Sequence, residues 1–200
     1  EKKSVVSYLG LDLEKFDQYK KTSTNQCPII LWNHRWEYDK NPKEFFECLK
    51  KIKNENIDFK LIILGEEFHT EMDVFTKSRK YFSNEIIHMG YAKSFSEYAS
   101  LINKSDILPV TTKQEFFGVS VIEAIYCDVF PILPNRLTYP ELFNSEKNPD
   151  NFYQDSDDLF IKLKDCVVNN TKKSLRQYSN KYKWSKIAKD YDNIIQKVIR

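Results

Sequence analysis

Short apolar runs alternate with helical patterns along most of the chain, beginning at Ile29. Runs of this length with few polar positions are typical of strands buried on both faces of a parallel sheet. The stretches between them repeat apolar residues at three- and four-residue spacing, as a helix does. The alternation therefore predicts an α/β fold, a Rossmann-like parallel sheet with helices on both faces in three layers. The five predicted strands are Ile29–Trp32, Phe59–Leu64, Glu85–Met89, Asp106–Val110 and Val129–Leu133.

Two segments carry the sequence signals of a helix start. In Asn41-Pro42-Lys43-Glu44 the asparagine is the predicted N-cap, and the glutamate completes a capping box. Ser94-Phe95-Ser96-Glu97 is a second capping box. Further helices are predicted over residues 118–127, from Leu159 to Val167, and from Ile187 to Val198 behind Trp184 and the cap Ser185.

Composition narrows the class of protein. Two hundred residues with 41% apolar content can form one solid core, so we expect a lead-in at 1–28, one domain at 29–170 and C-terminal helices at 171–200. The opening Glu1 is polar and is not a methionine, from which we expect a part of a longer protein. A net charge of +2, from 31 basic and 29 acidic residues, is too even to indicate a nucleic-acid binder by itself.

The cysteines and the apolar runs indicate a compartment. Cys27, Cys48, Cys127 and Cys166 stand far apart in apolar surroundings, which predicts free thiols in a reducing environment rather than disulfides. No apolar run approaches the roughly 18–20 residues of a membrane span. We therefore expect a cytoplasmic protein without a membrane span.

Two carboxylates bracket the loop that leads from the fourth predicted strand into the next helix. Glu115 and Glu123 are eight positions apart, with Phe116, Phe117 and Gly118 directly after the first of them. A helix start presents unpaired N–H groups and attracts anions, and a glycine there lets ligand oxygens approach the backbone. The carboxylates can accept the hydroxyls of an extended ligand, which must be paired when buried. The pattern suggests a nucleotide-sugar site.

A basic loop follows the first predicted strand. Arg35 and Lys40 flank a turn at the edge of the sheet where ligands of this architecture bind. Arginine forks onto phosphate oxygens and lysine supplies a point charge. Solvated surface cations are the simpler interpretation of such a pair, but Glu115 and Glu123 at the carboxyl end of another strand favour a binding role. His34, beside Arg35, is a candidate donor to a phosphate or to the sugar, or a cap of the loop.

Other polar patterns carry less weight. Asp155-Ser156-Asp157 and Asp190-Tyr191-Asp192 match the D-x-D spacing of some metal sites, but the first is placed to cap a helix and the second lies within one. No metal ligand is therefore predicted. Residues 172–200 hold nine basic and two acidic side chains, which could face RNA or form an ordinary solvated helix surface.

The Arg35–Lys40 pair and the Glu115-x7-Glu123 element resemble the C-terminal donor-binding domain of glycosyltransferase family 4, over roughly Ile29 to Phe143. That family has the GT-B fold and is retaining and metal-independent, so the resemblance implies no cofactor. It also implies a nucleotide-sugar donor and an N-terminal acceptor domain that this chain lacks. Arg35, Lys40 and Glu115 would be the catalytic residues. The implied donor-binding residues are His34, Arg35, Lys40, Gly90, Tyr91, Glu115, Phe116, Phe117, Gly118, Val119 and Glu123.

The resemblance also implies how these residues divide the donor. Arg35 and Lys40 would hold the diphosphate, Glu115 and the backbone of residues 116–118 the sugar, and Glu123 the ribose. The backbone near Gly90 and Tyr91 would lie against the base.

Longer segments are similar to a narrower family, the tRNA-queuosine α-mannosyltransferases. These segments are Trp32–Lys40, Leu64–Phe68, Glu115–Val119, Glu123–Cys127 and Tyr139–Phe143. The similarity implies transfer of mannose from GDP-mannose to the queuosine nucleoside of tRNA. Three residues stand where glycine is usual in the broad family: His34, Asn41 and Asp128. The first two fit the narrower family, whereas Asp128 fits neither.

Two alternatives remain beside this expectation. The first keeps the reaction and changes the acceptor to a lipid or a polysaccharide, with a UDP- or GDP-sugar as donor. The second is a non-catalytic nucleotide-binding module, against which the presence of Arg35, Lys40, Glu115 and Glu123 together speaks.

Overall fold

A computed structural model describes residues 7–20, 24–66, 73–169 and 173–199, with side chains up to residue 197. Glu67 and Phe68 of the segment quoted above, Lys172 and Arg200 of the basic tail, and the side chain of Val198 lie outside the described part. The strands are β1 (Ile29–Asn33), β2 (Lys60–Leu64), β3 (Ile86–Gly90), β4 (Ile107–Pro109), β5 (Phe130–Pro134) and β6 (Phe152–Tyr153). The α-helices are α1 (Pro42–Asn54), α2 (Asp73–Tyr81), α3 (Phe95–Lys104), α4 (Val119–Tyr126), α5 (Tyr139–Phe143), α6 (Ser156–Asn169), α7 (Arg176–Ser179) and α8 (Trp184–Ile199).

All six strands form one parallel sheet in the order β3-β2-β1-β4-β5-β6. The chain winds outward in one direction from β1 to β3 and in the other from β4 to β6. The strand order therefore reverses between β1 and β4, and the crevice at the carboxyl ends of such a pair is where these sheets bind ligands. This confirms the predicted Rossmann-like α/β sheet.

Side chains of β1 divide between two cores because successive residues of a strand point to opposite faces. Ile30 and Trp32 pack in one core with residues of α1, α2 and α6, among them Phe45. Leu31 packs in the other core with residues of α3 and α4, among them Ile122. Burial on both faces explains why the strands appear in the sequence as uninterrupted apolar runs.

The lead-in and the C-terminal helices pack against each other beside α4. The N–H of Leu11 donates to the carbonyl of Tyr182 at 2.7 Å, and the N–H of Trp184 donates to the carbonyl of Leu11 at 2.8 Å. Asp17 accepts from the Tyr126 hydroxyl and also pairs with the guanidinium of Arg176. Segments from the two ends of the chain thus form one layer over the same helix.

Two residues that replace a usual glycine adopt the left-handed conformation that glycine favours. Asn41 has a φ of 54° before α1, and Asp128 has a φ of 63° before β5. Asparagine and aspartate enter this region more easily than other residues that carry a Cβ. Asp128 also accepts hydrogen bonds from Ser174 and Arg176, so its side chain ties the turn to the C-terminal helices.

Some local expectations need correction. The Asn41 side chain does not cap α1, because its left-handed backbone points the amide to the Glu44 carboxylate, to which it donates. Helix α8 begins one residue before the expected cap Ser185, with Lys183 accepting the first backbone bond. Strand β6 was not predicted, because two residues are too few to show a pattern. The Ser94 cap of α3 is confirmed by its bond from the Glu97 N–H, but the Glu97 carboxylate accepts the N–H of Lys93 rather than that of Ser94, so the box is only half formed.

Candidate functional site

An open cleft of about 760 Å³ lies at the carboxyl edge of the sheet, between the loop after β1, the loop after β4 and the starts of α3 and α4. The fold itself brings these segments together, since the carboxyl ends of parallel strands meet at one edge. Ten of the eleven predicted site residues line the cleft: His34, Arg35, Lys40, Tyr91, Glu115, Phe116, Phe117, Gly118, Val119 and Glu123. Gly90 is the exception; it ends β3 directly before Tyr91.

Lys40 is buried at one end of the cleft and is held by three oxygen atoms. Its ammonium lies 3.0 Å from an Asp39 carboxylate oxygen, 3.3 Å from Glu115 Oε2 and 3.2 Å from the Gln114 carbonyl. The first contact comes from the loop after β1 and the other two from the loop after β4. Lys40 therefore ties the two loops together and fixes a positive charge between them.

Glu115 is held at both of its carboxylate oxygens. Oε2 meets Lys40, while Oε1 accepts the backbone N–H of Phe116 at 3.0 Å and of Phe117 at 3.4 Å. These are two of the backbone groups that the sequence led us to expect at the sugar. Both groups donate to Glu115 in this structure, so a ligand that uses them must displace the carboxylate.

Arg35 lies at the mouth of the cleft rather than inside it. Its side chain is 60% exposed and its guanidinium pairs with Glu37 at 3.1 Å. An exposed arginine keeps most of its rotamer freedom and its hydration. Arg35 can swing onto an anion, whereas Lys40 is fixed in place.

His34 is buried in the wall of the cleft, between the Lys40 loop and α4. Burial and the neighbouring Lys40 ammonium lower the pKa of His34 to about 4. Its Nδ1 lies 3.5 Å from the Ser120 hydroxyl, and its Nε2 has no hydrogen-bond partner in the described part of the chain. That nitrogen is enclosed by protein, so a neutral imidazole at this cleft wall can hydrogen-bond a bound ligand only when the ring turns towards the cleft.

At the other end of the cleft, Glu123 belongs to a half-buried hydrogen-bonded chain. Tyr98 donates its hydroxyl to Glu123 Oε2 at 2.6 Å. Asn33 donates its amide to the Tyr98 oxygen and to the Ser120 carbonyl, each at 3.1 Å. Burial raises the pKa of Glu123, and the bond from Tyr98 opposes that rise. We call Arg35, Lys40 and Glu115 the Lys40 end, and Asn33, Tyr98 and Glu123 the Glu123 end.

The start of α4 lies between the two ends. Gly118 precedes the helix with a φ of 79°, and a Cβ there would come within 3.4 Å of the Tyr139 ring. The side chains of the two preceding residues point in different directions. Phe117 packs against Tyr8 and Tyr182, whereas Phe116 is 95% exposed at the mouth.

Sequence reasoning missed the residues that support Glu123. Neither Asn33 nor Tyr98 was among the predicted site residues, although both line the cleft. A tyrosine on the buried face of a helix needs a partner for its hydroxyl, and that requirement could have pointed to a nearby carboxylate. The partner itself could not be identified, because Asn33, Tyr98 and Glu123 meet only in the folded chain.

Polar residues of two other segments quoted from the sequence lie outside the cleft. Tyr139 is buried and hydrogen-bonded to Thr112, and Glu141 accepts from the Tyr8 hydroxyl. Asp155 caps α6, with its Oδ1 accepting the N–H groups of Asp157 and Asp158. Among the described helices, none is long and apolar enough to cross a membrane.

Comparison with known proteins gives one family. The family model described as "Glycosyl transferases group 1" matches residues 14–184. The match extends beyond the segment expected from the motifs and includes part of the lead-in and of the C-terminal helices.

Three curated relatives illustrate the range of that similarity. A tRNA-queuosine alpha-mannosyltransferase of Drosophila melanogaster is 33% identical over 82% of this chain and 44% of its own length. A probable sucrose-phosphate synthase of Thermosipho melanesiensis is 26% identical over 90% of this chain and 43% of its own. A GDP-mannose:cellobiosyl-diphosphopolyprenol alpha-mannosyltransferase of Komagataeibacter xylinus is 20% identical over 95% of this chain and 50% of its own.

A solved structure shows the same fold. A glycosyltransferase from Rickettsia africae superposes with a TM-score of 0.77 at 18% identity, covering 98% of this chain and 57% of that one. The chain spans about half the length of the curated relatives it matches.

Proposed function

The chain belongs to the group 1 glycosyl transferases, and from that premise we propose that its cleft binds the nucleotide-sugar donor of a retaining hexosyl transfer. The observation that carries the proposal is the pairing of two unlike ends within one cleft. A fixed ammonium lies at the Lys40 end and a half-buried carboxylate at the Glu123 end, with a helix start between them. A nucleoside diphosphate carries the two matching kinds of group, anionic phosphate oxygens and ribose hydroxyls.

We propose that the Lys40 end holds the diphosphate. As the bond between the anomeric carbon and the phosphate oxygen breaks, negative charge grows on the leaving diphosphate. Fixed donors aimed at that charge stabilise the transition state more than the ground state. Lys40 and the start of α4 supply such donors without a metal ion, and Arg35 can close over the phosphates from the mouth.

Glu115 and His34 would act on the sugar side of the diphosphate. Glu115 would leave the N–H groups of Phe116 and Phe117 to the ligand and accept sugar hydroxyls, keeping its contact with Lys40. A turn of the neutral His34 ring would bring its unpaired Nε2 from the enclosed wall to the sugar or to a phosphate oxygen. The sugar is thereby oriented for attack on the retained face.

The proposed donor is GDP-mannose, and the proposed acceptor is the queuosine nucleoside of tRNA. The 33% identity to a tRNA-queuosine alpha-mannosyltransferase supports a mannosyl donor and this acceptor, and a second relative, 20% identical, is named for GDP-mannose. Because the relatives are about twice as long, we propose that this chain is the donor half and that an N-terminal domain holds the acceptor. The isolated chain would then bind donor without turnover. Four unpaired cysteines fit the reducing cytoplasm that this acceptor implies.

A second candidate keeps the donor site and changes the acceptor. One relative, 20% identical to this chain, is named for a cellobiosyl-diphosphopolyprenol acceptor. Its similarity supports a lipid-linked saccharide as the acceptor. A non-catalytic nucleotide-binding module explains the site less well, because nucleotide binding alone does not require a fixed positive charge beside a carboxylate that faces the sugar.

A thermal-shift panel of GDP, UDP, ADP and their sugar conjugates tests the proposal. A ligand that binds only the native state raises its stability with occupancy. We expect GDP and GDP-mannose to raise the melting temperature most. Stabilisation by UDP-glucose without any by GDP would contradict the proposed mannosyl donor but keep the transferase class. No shift with any nucleotide at millimolar concentration would contradict a donor site.

A further inference from the structure

The hydrogen-bonded chain behind Glu123 has a fixed direction. An asparagine Nδ2 can only donate, so the Tyr98 oxygen must accept from Asn33. The Tyr98 proton is then free to point at Glu123, and the 2.6 Å separation is that of a bond to a charged acceptor. Asn33 is itself anchored at the end of β1 and bonded to the Ser120 carbonyl of α4. Three elements of the fold thus determine where one proton lies.

This direction sets the state of the carboxylate. Burial favours the protonated form of Glu123 and raises its pKa, whereas the donated bond from Tyr98 and, to a smaller extent, the Lys15 ammonium favour the ionised form. Tyr98 engages Oε2 alone, and Oε1 accepts no hydrogen bond from any residue that the structure describes. Glu123 therefore presents one free oxygen acceptor at the cleft.

We propose that Asn33 and Tyr98 are positioning residues that hold Glu123 ionised and oriented to accept the ribose hydroxyls of the donor. The inference rests on the proposed function, because it needs a nucleotide in the cleft. It adds two residues outside the Arg35, Lys40, Glu115 and Glu123 motif. It also assigns them a measurable property, discrimination between ribose and deoxyribose.

Removal of the Tyr98 hydroxyl tests the inference. Tyr98→Phe keeps the ring that packs near Phe16 and Phe95, so the fold is retained. The ligands are the nucleoside diphosphate that binds the parent best, GDP or UDP, and its 2′,3′-dideoxy form, with affinities from calorimetry. The parent should prefer the ribose form. The variant should lose roughly tenfold in affinity for that form and little for the dideoxy form.

Asn33→Asp separates proton direction from simple packing. An aspartate has the same shape but cannot donate, so it would accept a hydrogen bond from the Tyr98 hydroxyl. The hydroxyl hydrogen would then point at residue 33 and away from Glu123. The Tyr98 hydroxyl is still present, yet ribose discrimination should fall as it does in Tyr98→Phe. In both variants, the loss of affinity for the ribose form on acidification should begin at a higher pH than in the parent.

Tyr126→Phe is the matched control. It removes the hydroxyl of a buried tyrosine on α4 rather than α3. Tyr126 donates to Asp17 and lies outside the cleft. It should leave ribose discrimination unchanged.

The outcomes separate the inference from the proposed function. If the parent binds no nucleotide, the proposed function is wrong and the inference goes with it. If the parent binds and discriminates while Tyr98→Phe discriminates equally well, only the inference is wrong. Tighter binding of the ribose form by Tyr98→Phe would also overturn it, since Tyr98 would then compete with the ligand for Glu123.

Discussion

The Lys40 end and the Glu123 end of the cleft hold charge in different ways. At the Lys40 end, formal charges contact one another: an ammonium meets two carboxylates, and an arginine at the mouth meets a third. At the Glu123 end, a single carboxylate is supported by a neutral hydroxyl and a neutral amide. The first arrangement can exchange partners when an anion arrives, and the second is already set for its ligand. A donor with mobile phosphates and a rigid ribose would use both.

The largest expected effect is that of Lys40→Ala. The substitution removes the fixed positive charge and leaves the carboxylates of Asp39 and Glu115 facing the diphosphate. GDP affinity measured by calorimetry should fall by about one to two factors of ten. The free energy of unfolding should fall by about 1–2 kcal/mol, less than for a fully buried pair, because the Asp39 side chain is 27% exposed.

Lys43→Ala is the control for that variant. Lys43 lies three residues away on α1, is 78% exposed and pairs loosely with Glu47 at 3.9 Å. It should leave both quantities unchanged. Unchanged GDP affinity in a folded Lys40→Ala protein would show that the charge contrast between the two ends has no role in binding.

The next effect concerns His34, which lies between the ends. Its pKa is about 4 in the folded chain and near 6.5 when unfolded, so the unfolded state binds a proton first as the pH falls. The contribution of the neutral His34 to the free energy of unfolding is fully present above pH 6.5 and is lost progressively as the pH falls towards 4. At pH 5 the loss from this group is about 2 kcal/mol.

Urea unfolding of the parent and of His34→Asn at pH 7 and pH 5 measures the difference. The variant should lose about 2 kcal/mol less between the two pH values. If both proteins lose the same amount, His34 is not held neutral in the wall of the cleft.

A smaller effect is expected for Arg35→Ala. Because the side chain is exposed and paired with Glu37, its contact with phosphate replaces an existing partner. GDP affinity should fall only a few-fold, and more at low salt than at high salt. A loss as large as that of Lys40→Ala would show that Arg35 moves inside the cleft on binding, and the fixed and mobile cations would no longer differ.

The two ends also differ in how far the sequence could predict them. The Lys40 end was identified because a motif of charged residues at fixed spacing carries it, and the alternation of strands and helices placed its two loops at one edge. The Glu123 end was found only in part. Asn33 and Tyr98 are single polar groups 65 positions apart, and no local pattern links them before the sheet brings β1 beside α3.

The same distinction applies to the fold. The central strands were predicted because burial on both faces leaves a continuous apolar run. The left-handed turns at Asn41 and Asp128 show only through the family resemblance, in which glycine is usual at both positions, because asparagine and aspartate by themselves are ordinary in any loop. The contact of the lead-in with the C-terminal helices joins segments about 170 residues apart and could not be anticipated from either segment alone.

Calorimetric titration of GDP into the parent, Lys40→Ala, Glu123→Gln and the double variant tests the central claim, that one ligand spans both ends of the cleft. We predict one site per chain, a loss of about tenfold for Glu123→Gln, and a larger loss for Lys40→Ala. Because the two side chains would contact separate parts of one nucleotide, the losses in the double variant should multiply. Parental affinity in all three folded variants would contradict the claim, since GDP would then bind elsewhere.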